Sequence, residues 1–150
     1  MKKIVLVSCS AKKIPLKKGE KIEAKHLYAS TLFKKSWEYA QLLKPDSIYI
    51  LSAKYGLVKP DDLLATYNKS LNDAKAKERK EWTAKVIDSL KREGVDLNKD
   101  NIIILAGESY WKYLAQQLGN LSLPYREKKC KGIGYILKFL NDEISKSNQK

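Results

Sequence analysis

Three short runs of apolar residues, in which polar residues do not alternate, stand out along the chain. They lie within residues 4–8, 47–52 and 102–106. Uninterrupted apolar runs of this length are typical of strands buried on both faces, as in a parallel sheet covered by helices. The pattern therefore predicts three buried strands over these ranges. A weaker fourth strand is expected over residues 121–126, where Pro124 restricts it to an edge of the sheet.

Segments with helical periodicity separate the strands. In the clearest one, Trp82, Val86 and Leu90 recur every four residues, residues 72–73 are suitable N-caps and Gly94 provides a stop. Helices are predicted over residues 28–43, 72–94, 108–118 and 134–144, with loops over 9–26 and 53–72. Strands and helices alternate, which predicts one α/β domain over residues 1–150. We expect three α/β/α layers around a central, mainly parallel sheet of about four strands.

The composition predicts a folded protein with no membrane-spanning segment. The chain has 150 residues, of which 43% are hydrophobic, enough for one domain with a sizeable core. No apolar run approaches the ~20 residues that a membrane-spanning helix requires. The four apolar residues that follow Lys3 are too few for a signal peptide. We therefore expect a cytoplasmic protein with no membrane partner.

Positive charge dominates the sequence. Thirty Lys and Arg residues against seventeen Asp and Glu give a net charge of +13. This surplus favours polyanionic partners, namely DNA, RNA or nucleotides, although biased genome composition or heat tolerance also produces lysine-rich surfaces. Only Arg79, Arg92 and Arg126 are arginines. Because arginine is the usual reader of guanine edges and lysine mainly contacts phosphate, we expect contacts with the nucleic-acid backbone.

Few residues are available to bind a metal ion. Cys9, Cys130 and His26 are the only Cys and His residues, and they are too few and too scattered for a usual zinc site. An oxygen-rich magnesium site at Asp61 and Asp62 remains an alternative. We accordingly expect neither a metal nor another cofactor.

The first predicted strand ends in small and polar residues. Ser8, Cys9 and Ser10 are followed by Lys12 and Lys13. Hydroxyl groups and backbone amides in such a turn hold a phosphate or a base edge, with Lys12 supplying charge, and Lys13 is expected to contact the nucleic-acid backbone. Cys9 is also a candidate nucleophile, a role that requires a stabilised thiolate. The alternative is a small buried thiol in a tight turn.

The second predicted strand runs into the sequence Ser-Ala-Lys-Tyr-Gly at residues 52–56. Tyr55 offers a ring for stacking and a hydroxyl group, and Gly56 permits a backbone conformation closed to other residues. These positions are predicted to bind a ligand, together with Tyr67 in the following loop. The alternative is that Tyr-Gly only turns the chain while Lys54 is solvated.

The third predicted strand ends in the same way, at Gly107, Glu108 and Tyr110. Ligand sites of α/β proteins lie beyond the carboxyl ends of the strands. We therefore expect residues 8–12, 52–56 and 107–110 to meet at one rim of the fold and to form a shared cationic pocket.

Two carboxylates are candidates for catalysis, Asp62 and Glu108. Asp61 and Asp62 follow Pro60, and paired carboxylates can divide acid and base roles if their surroundings separate the two pKa values. The same residues are ordinary in a turn or at a helix N-terminus. Glu108 is expected in a first helical turn, where the helix dipole favours an acidic residue whatever its function.

A cationic segment precedes the last predicted helix. Arg126, Lys128, Lys129 and Lys131 lead into a Gly-x-Gly at residues 132–134. Free backbone amides beside cations would bind the phosphates of a nucleic-acid backbone. A solvated basic loop is the alternative.

The motifs resemble an uncharacterised family of small bacterial, archaeal and phage proteins. The resemblance rests on Ser-Cys-Ser at residues 8–10, Leu-Tyr-x-Ser at 27–30 and Ser-Ala-Lys-Tyr-Gly-Leu at 52–57. In that family the last element reads Ser-Ala-Lys, then Tyr or His, then Gly-Leu. More distantly, residues 10–12 and 55–67 are similar to motifs of the YaaA peroxide-stress family, which is associated with DNA binding. Both groups look related in fold to uracil-DNA-glycosylase-like α/β proteins.

Charge, motifs and resemblance together favour an enzyme that acts on a nucleobase, cleaving or exchanging an N-glycosidic bond. Tyr55, Tyr67 or Tyr110 would stack on an extruded base, and Ser8, Ser10 and Ser52 would hydrogen-bond its edge. Asp62 or Glu108 would stabilise the sugar cation or orient water, and Lys54 or Lys12 the leaving base. The alternatives are a non-catalytic DNA- or RNA-binding protein of the YaaA-like stress-response type and a small-nucleotide binder.

Overall fold

The protein is described by a computed structural model that covers residues 1–148. Its strands are β1 (Lys3–Ser8), β2 (Ile22–Glu23), β3 (Ser47–Ser52), β4 (Gly56–Val58), β5 (Leu63–Leu64), β6 (Asn101–Leu105) and β7 (Leu121–Ser122). Five of them form a sheet in the order β4-β3-β1-β6-β7, and β2 pairs with β5 in a separate two-stranded ribbon. In the sheet β3, β1, β6 and β7 are parallel, and only β4 is antiparallel to its neighbour.

The three apolar runs form the three central strands, so the prediction of a mainly parallel sheet is confirmed. The expected number of strands is corrected from four to five, because β4 also belongs to the sheet. Gly56 has a φ of +78° and turns the chain back, so that residues 56–58 pair with the end of β3. A three-residue strand is too short to show periodicity.

The helices are α1 (Ala24–Leu27), α2 (Thr31–Leu42), α3 (Ala76–Arg92), α4 (Glu108–Trp111), α5 (Pro124–Glu127) and α6 (Ile133–Asn148). Helix α2 begins three residues later than predicted, because the Ser30 hydroxyl accepts a hydrogen bond from the Phe33 amide at 3.0 Å and caps the helix. Residues 71–73 form a 3-10 turn capped by Ser70, and the predicted second helix starts only at Ala76.

Two other predicted elements are shorter than expected, although the fourth strand does lie at an edge of the sheet. The single helix expected over residues 108–118 is interrupted: α4 ends at Trp111 and a separate 3-10 turn spans Ala115–Gln117. The fourth strand stops at Ser122, because Pro124 occupies the first turn of α5, a position that needs no amide hydrogen.

Alternate residues of the central strand face opposite sides of the sheet. Ile4 and Leu6 pack in one hydrophobic cluster with residues of α3, whereas Val5 and Val7 pack in another with residues of α2 and α6. Helices therefore cover both faces, which explains why the central strands carry no polar side chains within them. None of the helices in residues 1–148 is long and apolar enough to cross a lipid bilayer.

The order of the strands opens a crevice beside β1. The chain runs from β1 to β3 on one side and later returns to β6 on the other side of β1. The segments that leave β1 and β6 therefore diverge at their carboxyl ends. Open α/β sheets bind ligands at such a switch point.

Candidate ligand cavity

A cavity of about 280 Å³ lies at the carboxyl ends of β1 and β6. Six elements contribute to its wall: the turn after β1, the turn after β6, the first part of α2, the 3-10 turn near residue 71, α5 and the start of α6. The lining residues are Ser8, Cys9, Ser10, Ala11, Ser30, Leu32, Phe33, Ser36, Ser70, Asn72, Leu105, Ala106, Gly107, Tyr110, Tyr125, Ile133 and Ile136. The volume lies near the lower end of the range of small-molecule sites, roughly 300–1,000 Å³.

The wall of the cavity carries hydroxyl groups and one amide but no charged side chain. Its polar groups come from five serines, two tyrosines, Cys9 and Asn72. The Ser8 and Ser10 hydroxyls donate to nearby backbone carbonyls at 3.0 and 2.8 Å and retain their lone pairs. The Asn72 side-chain carbonyl accepts a short hydrogen bond from Ser109. Apolar walls with a few neutral donors and acceptors suit an uncharged, planar polar ligand.

Tyr110 and Cys9 meet at the floor of the crevice. The Tyr110 hydroxyl lies 3.4 Å from the Cys9 sulfur, and its ring packs edge-on against Trp82. Burial and the neighbouring Cys9 thiol raise the pKa of the Tyr110 hydroxyl. Tyr110 therefore stays protonated at neutral pH and can donate a hydrogen bond.

A second tyrosine closes the opposite wall. The Tyr125 hydroxyl lies 2.6 Å from the Ser36 hydroxyl, and both side chains are buried. Burial is also the main cause that raises the pKa of Tyr125. The pair supplies two uncharged hydroxyl groups on the α2 side of the cavity.

Five of the predicted ligand-binding residues line this cavity. Ser8, Cys9 and Ser10 come from the turn after β1, and Gly107 and Tyr110 come from the segment after β6. The structure brings these two turns together at the cavity, whereas the expected third turn at residues 52–56 does not line it. The sequence predicts all five positions, because small and polar residues that directly follow a buried strand lie at the ligand-binding edge of a parallel sheet.

Ser52, expected to bind a ligand, does not line the cavity, because its side chain is fully buried. The Ser52 hydroxyl donates to Tyr67 at 3.0 Å and accepts from the Tyr55 amide at 3.0 Å. Tyr67 in turn lies 2.7 Å from the hydroxyl of Tyr28, which is also buried. These residues tie the chain after β3 to the loop around residue 67, and neither Ser52 nor Tyr67 lines the cavity.

The rest of the Ser-Ala-Lys-Tyr-Gly segment turns the chain. Tyr55 packs edge-on against Tyr67 with ring centroids 5.5 Å apart, and the Lys54 ammonium lies 5.2 Å from the Tyr55 ring. Gly56 is buried and opens β4. Lys54, Tyr55 and Gly56 lie at the same edge of the sheet as the cavity but outside its wall.

The structure separates the predicted catalytic residues. Asp62 lies in another depression with Lys59 and Glu93, where its carboxylate accepts a hydrogen bond from the Lys59 amide at 2.8 Å. Asp61 pairs with Lys25 at 2.7 Å. Glu108 is exposed and directly follows Gly107, so it is the candidate carboxylate nearest in sequence to the cavity wall.

The predicted cationic pocket is corrected to an uncharged one. Lys12 is exposed and absent from the wall, and the Lys13 ammonium lies 4.2 Å from the ring of Tyr67. Burial lowers the pKa of Lys13. Neither lysine of the β1 turn therefore lines the cavity.

The cationic segment after β7 lies beside the cavity. Arg126 is placed over the ring of Trp111, 5.3 Å from its centroid. Lys128 and Lys129 line a depression on α6, and Lys131 is exposed just before that helix. Within residues 1–148, no three His, Cys, Asp or Glu side chains form a group that could hold a metal ion.

Sequence reasoning missed most of the wall that α2, α5 and α6 contribute. Ser36, Tyr125 and Ile136 carry no local signal, because each lies in a helix and reaches the cavity only through packing. Ser30 had a signal as an N-cap, and Asn72 as part of a helix start, but neither pattern distinguishes a cap from a ligand contact.

Comparisons with known proteins provide two curated relatives. The UPF0246 protein of Polynucleobacter necessarius subsp. necessarius (strain STIR1) is 39% identical over 90 residues, which cover 56% of this chain and 33% of that protein. The chain thus spans about a third of the length of that relative. The uncharacterized protein YfjM of Bacillus subtilis (strain 168) is 27% identical over 158 aligned positions, covering 99% of both chains.

UPF0246 is the YaaA family, so the expected distant relationship to YaaA proteins is confirmed in the sequence. No solved structure matches the chain. The expected resemblance to an uncharacterised family is confirmed as well, since a family of unknown function matches residues 4–142. This match spans nearly the whole sequence and includes all seven strands of residues 1–148, apart from the first residue of β1. The chain therefore belongs to the DUF6884 family.

Proposed function

We propose that the protein binds a nucleobase in the cavity between β1 and β6 and cleaves or exchanges the N-glycosidic bond of that base. The observation that carries the proposal is the uncharged cavity wall at the switch point of the sheet. A nucleobase is planar, uncharged and rich in donors and acceptors. The apolar side chains of Phe33, Leu105 and Ile136 match its faces, and the serine and tyrosine hydroxyls match its edge.

The reaction follows from the charges that develop when the bond breaks. The bond between the sugar carbon and the base nitrogen lengthens, so the sugar becomes positive and the base negative. Protonated hydroxyls such as those of Tyr110 and Tyr125 would stabilise the leaving base by donating hydrogen bonds. Water then adds to the sugar carbon, and its proton is taken up by the released base or, transiently, by a carboxylate.

Glu108 is the proposed carboxylate of this reaction. It follows Gly107 in the wall of the cavity and is exposed, so its charge lies at the rim rather than inside. A carboxylate there would stabilise the sugar cation and orient the attacking water. Asp62 and Lys54 have no part in this proposal, because they lie outside the cavity.

The decisive experiment measures released bases. The protein is incubated with single-stranded and duplex DNA and with RNA, each carrying normal and modified bases, and free bases are identified by mass spectrometry. Release by the wild type should fall at least about a hundredfold in Glu108→Gln, as expected for losing a positioned catalytic group. Glu81→Gln is the matched control, because Glu81 is exposed on α3. Release that persists in Glu108→Gln contradicts the assignment of that residue.

A non-catalytic nucleic-acid-binding protein of the YaaA-like type is the second candidate. The net charge of +13 supports it, as does the similarity to a UPF0246 protein. Binding of nucleic acid without release of any base from any substrate would favour this candidate. A fold related to uracil-DNA-glycosylase-like proteins is likewise a proposal, supported by the mostly parallel sheet with helices on both faces.

A further inference from the structure

Helix α6 separates the cavity from a second depression. Ile133 and Ile136 line the cavity, whereas Tyr135 and Lys138 line the depression on the other side of the helix, which has a volume of about 230 Å³. The first turns of α6 thus contribute residues to both sites. Ile133, at the start of the helix, is 63% exposed.

Tyr135 is an exposed aromatic ring among cations. Its exposed fraction is 64%, whereas Tyr125 on the cavity side is 7% exposed. Lys128 and Lys129 line the same depression, and Lys131 precedes the helix. We call Tyr135 with these three lysines the Tyr135 platform.

The charge of the platform is not neutralised by the protein. Lys128, Lys129 and Lys131 form no ion pair within residues 1–148, and Asp142 is already paired with Lys138 at 3.2 Å. An exposed aromatic ring beside unpaired cations is the arrangement with which proteins hold single-stranded nucleic acid, since the ring stacks on a base and the cations contact phosphates.

We propose that the Tyr135 platform binds nucleotides that flank the nucleotide in the cavity, so that the ligand is a single-stranded segment of nucleic acid rather than a free base or nucleotide. This inference rests on the proposed function of the cavity. It adds Tyr135 as a base-stacking residue and the three lysines as contacts to phosphates.

The distance between the two sites determines the length of the ligand. The sites lie on opposite sides of a helix whose diameter with side chains is about 10–12 Å. Nucleotides in a stacked strand are spaced by about 3.4 Å. A strand of roughly four nucleotides or more is therefore needed to fill both sites, and a mononucleotide reaches only one of them.

The test uses fluorescein-labelled single-stranded 12-mers of DNA and RNA of mixed sequence, with binding measured by fluorescence anisotropy. Tyr135→Ala should weaken binding about tenfold, because one stacked base is lost, and Tyr135→Phe should retain it. Tyr113→Ala is the matched control: Tyr113 also lies near two lysines, Lys80 and Lys112, but on the α3 side of the sheet. Circular dichroism verifies that each variant is folded.

A second measurement tests the lysines. Changing Lys128, Lys129 and Lys131 together to Gln should reduce the slope of log affinity against log salt by about 2, at roughly 0.7 per phosphate contact. The matched control removes the same charge on the other face, at Lys75, Lys77 and Lys91. This control should leave the slope almost unchanged. The inference would be overturned if the salt dependence of the two triple variants had equal slopes. It would also be overturned if Tyr135→Ala bound strands as the wild type does, or if the protein bound no strand at all.

The failure of this inference is distinct from that of the proposed function. If strands depend on Tyr135 but no base is released, the enzyme activity is refuted and the platform stands. If bases are released and Tyr135→Ala binds strands as the wild type does, the platform is refuted and the cavity function stands.

Discussion

The hydroxyl of Tyr67 lies between two buried partners, 2.7 Å from the hydroxyl of Tyr28 and 3.0 Å from that of Ser52. Burial raises the pKa of Tyr28 to about 12, and that of Tyr67 is raised for the same reason. Both phenols are therefore neutral at physiological pH and join three segments that are far apart in the sequence. The motif around residues 52–56 positions the edge of the sheet through this network.

Tyr67→Phe should destabilise the protein. The change removes one oxygen and leaves the buried Ser52 and Tyr28 hydroxyls without their shared partner, at a cost of about 1–3 kcal/mol. Urea denaturation followed by circular dichroism measures the free energy of unfolding. Tyr135→Phe is the control, since Tyr135 is exposed and forms no side-chain hydrogen bond within residues 1–148. Equal stability of the two variants would refute a structural role for the network.

Asp100→Asn should destabilise the protein in a pH-dependent way. The carboxylate accepts hydrogen bonds from the backbone amides of Lys2 and Asp96, both at 2.8 Å, and these lower its pKa. Because the folded pKa is depressed, the stabilisation is fully present above the unfolded pKa of about 3.9 and is lost as pH falls through the folded pKa.

The free energy of unfolding of Asp100→Asn and wild type is therefore expected to differ at pH 7 and to converge on acidification below about pH 3.9. Urea titrations at a series of pH values measure this difference. Asp88→Asn on the exposed side of α3 is the control and should show little difference at any pH. A gap that stays constant down to the acid limit would show that the carboxylate charge is not what stabilises the loop.

Gly119→Ala should destabilise the protein by about 1–3 kcal/mol, the usual cost of overpacking. A Cβ atom at Gly119 would lie 2.8 Å from the carbonyl oxygen of Asn98, and backbone cannot rotate away as a side chain can. Thermal unfolding measures the effect. Gly132→Ala is the control, because a Cβ there meets no atom within 4 Å. A melting temperature of Gly119→Ala equal to that of the control would contradict the close approach.

Occupation of the cavity should protect Cys9 from alkylation. Cys9 lines the cavity whereas Cys130 does not, and neither is in a disulfide. Saturation with a free nucleobase, which is too small to reach the depression that Cys130 lines, should slow iodoacetamide labelling at Cys9 several-fold and leave Cys130 unaffected. Peptide mass spectrometry gives both rates from one sample. Equal protection of both thiols, or of neither, would place the ligand elsewhere.

Local sequence patterns were sufficient for the central strands. The apolar runs within residues 4–8, 47–52 and 102–106 do not alternate with polar residues, and such a run is stable only when both faces of the strand are covered. The pattern fails where an element is short: β4 has three residues, and α4 ends after one turn. In such elements packing outweighs local propensity.

The polar residues directly after β1 and β6 also follow from the sequence, because the direction of a parallel strand fixes which edge its end reaches. The residues that complete the cavity wall around them do not follow from the sequence. Ser36 and Tyr125 are 89 positions apart and form one wall only because α2 and α5 pack on the same face of the sheet. Ser52 follows a strand just as Ser8 does, yet it is buried. Its neighbours Tyr28 and Tyr67 come from segments distant in the sequence. Long-range packing of this kind cannot be predicted from the local pattern of residues.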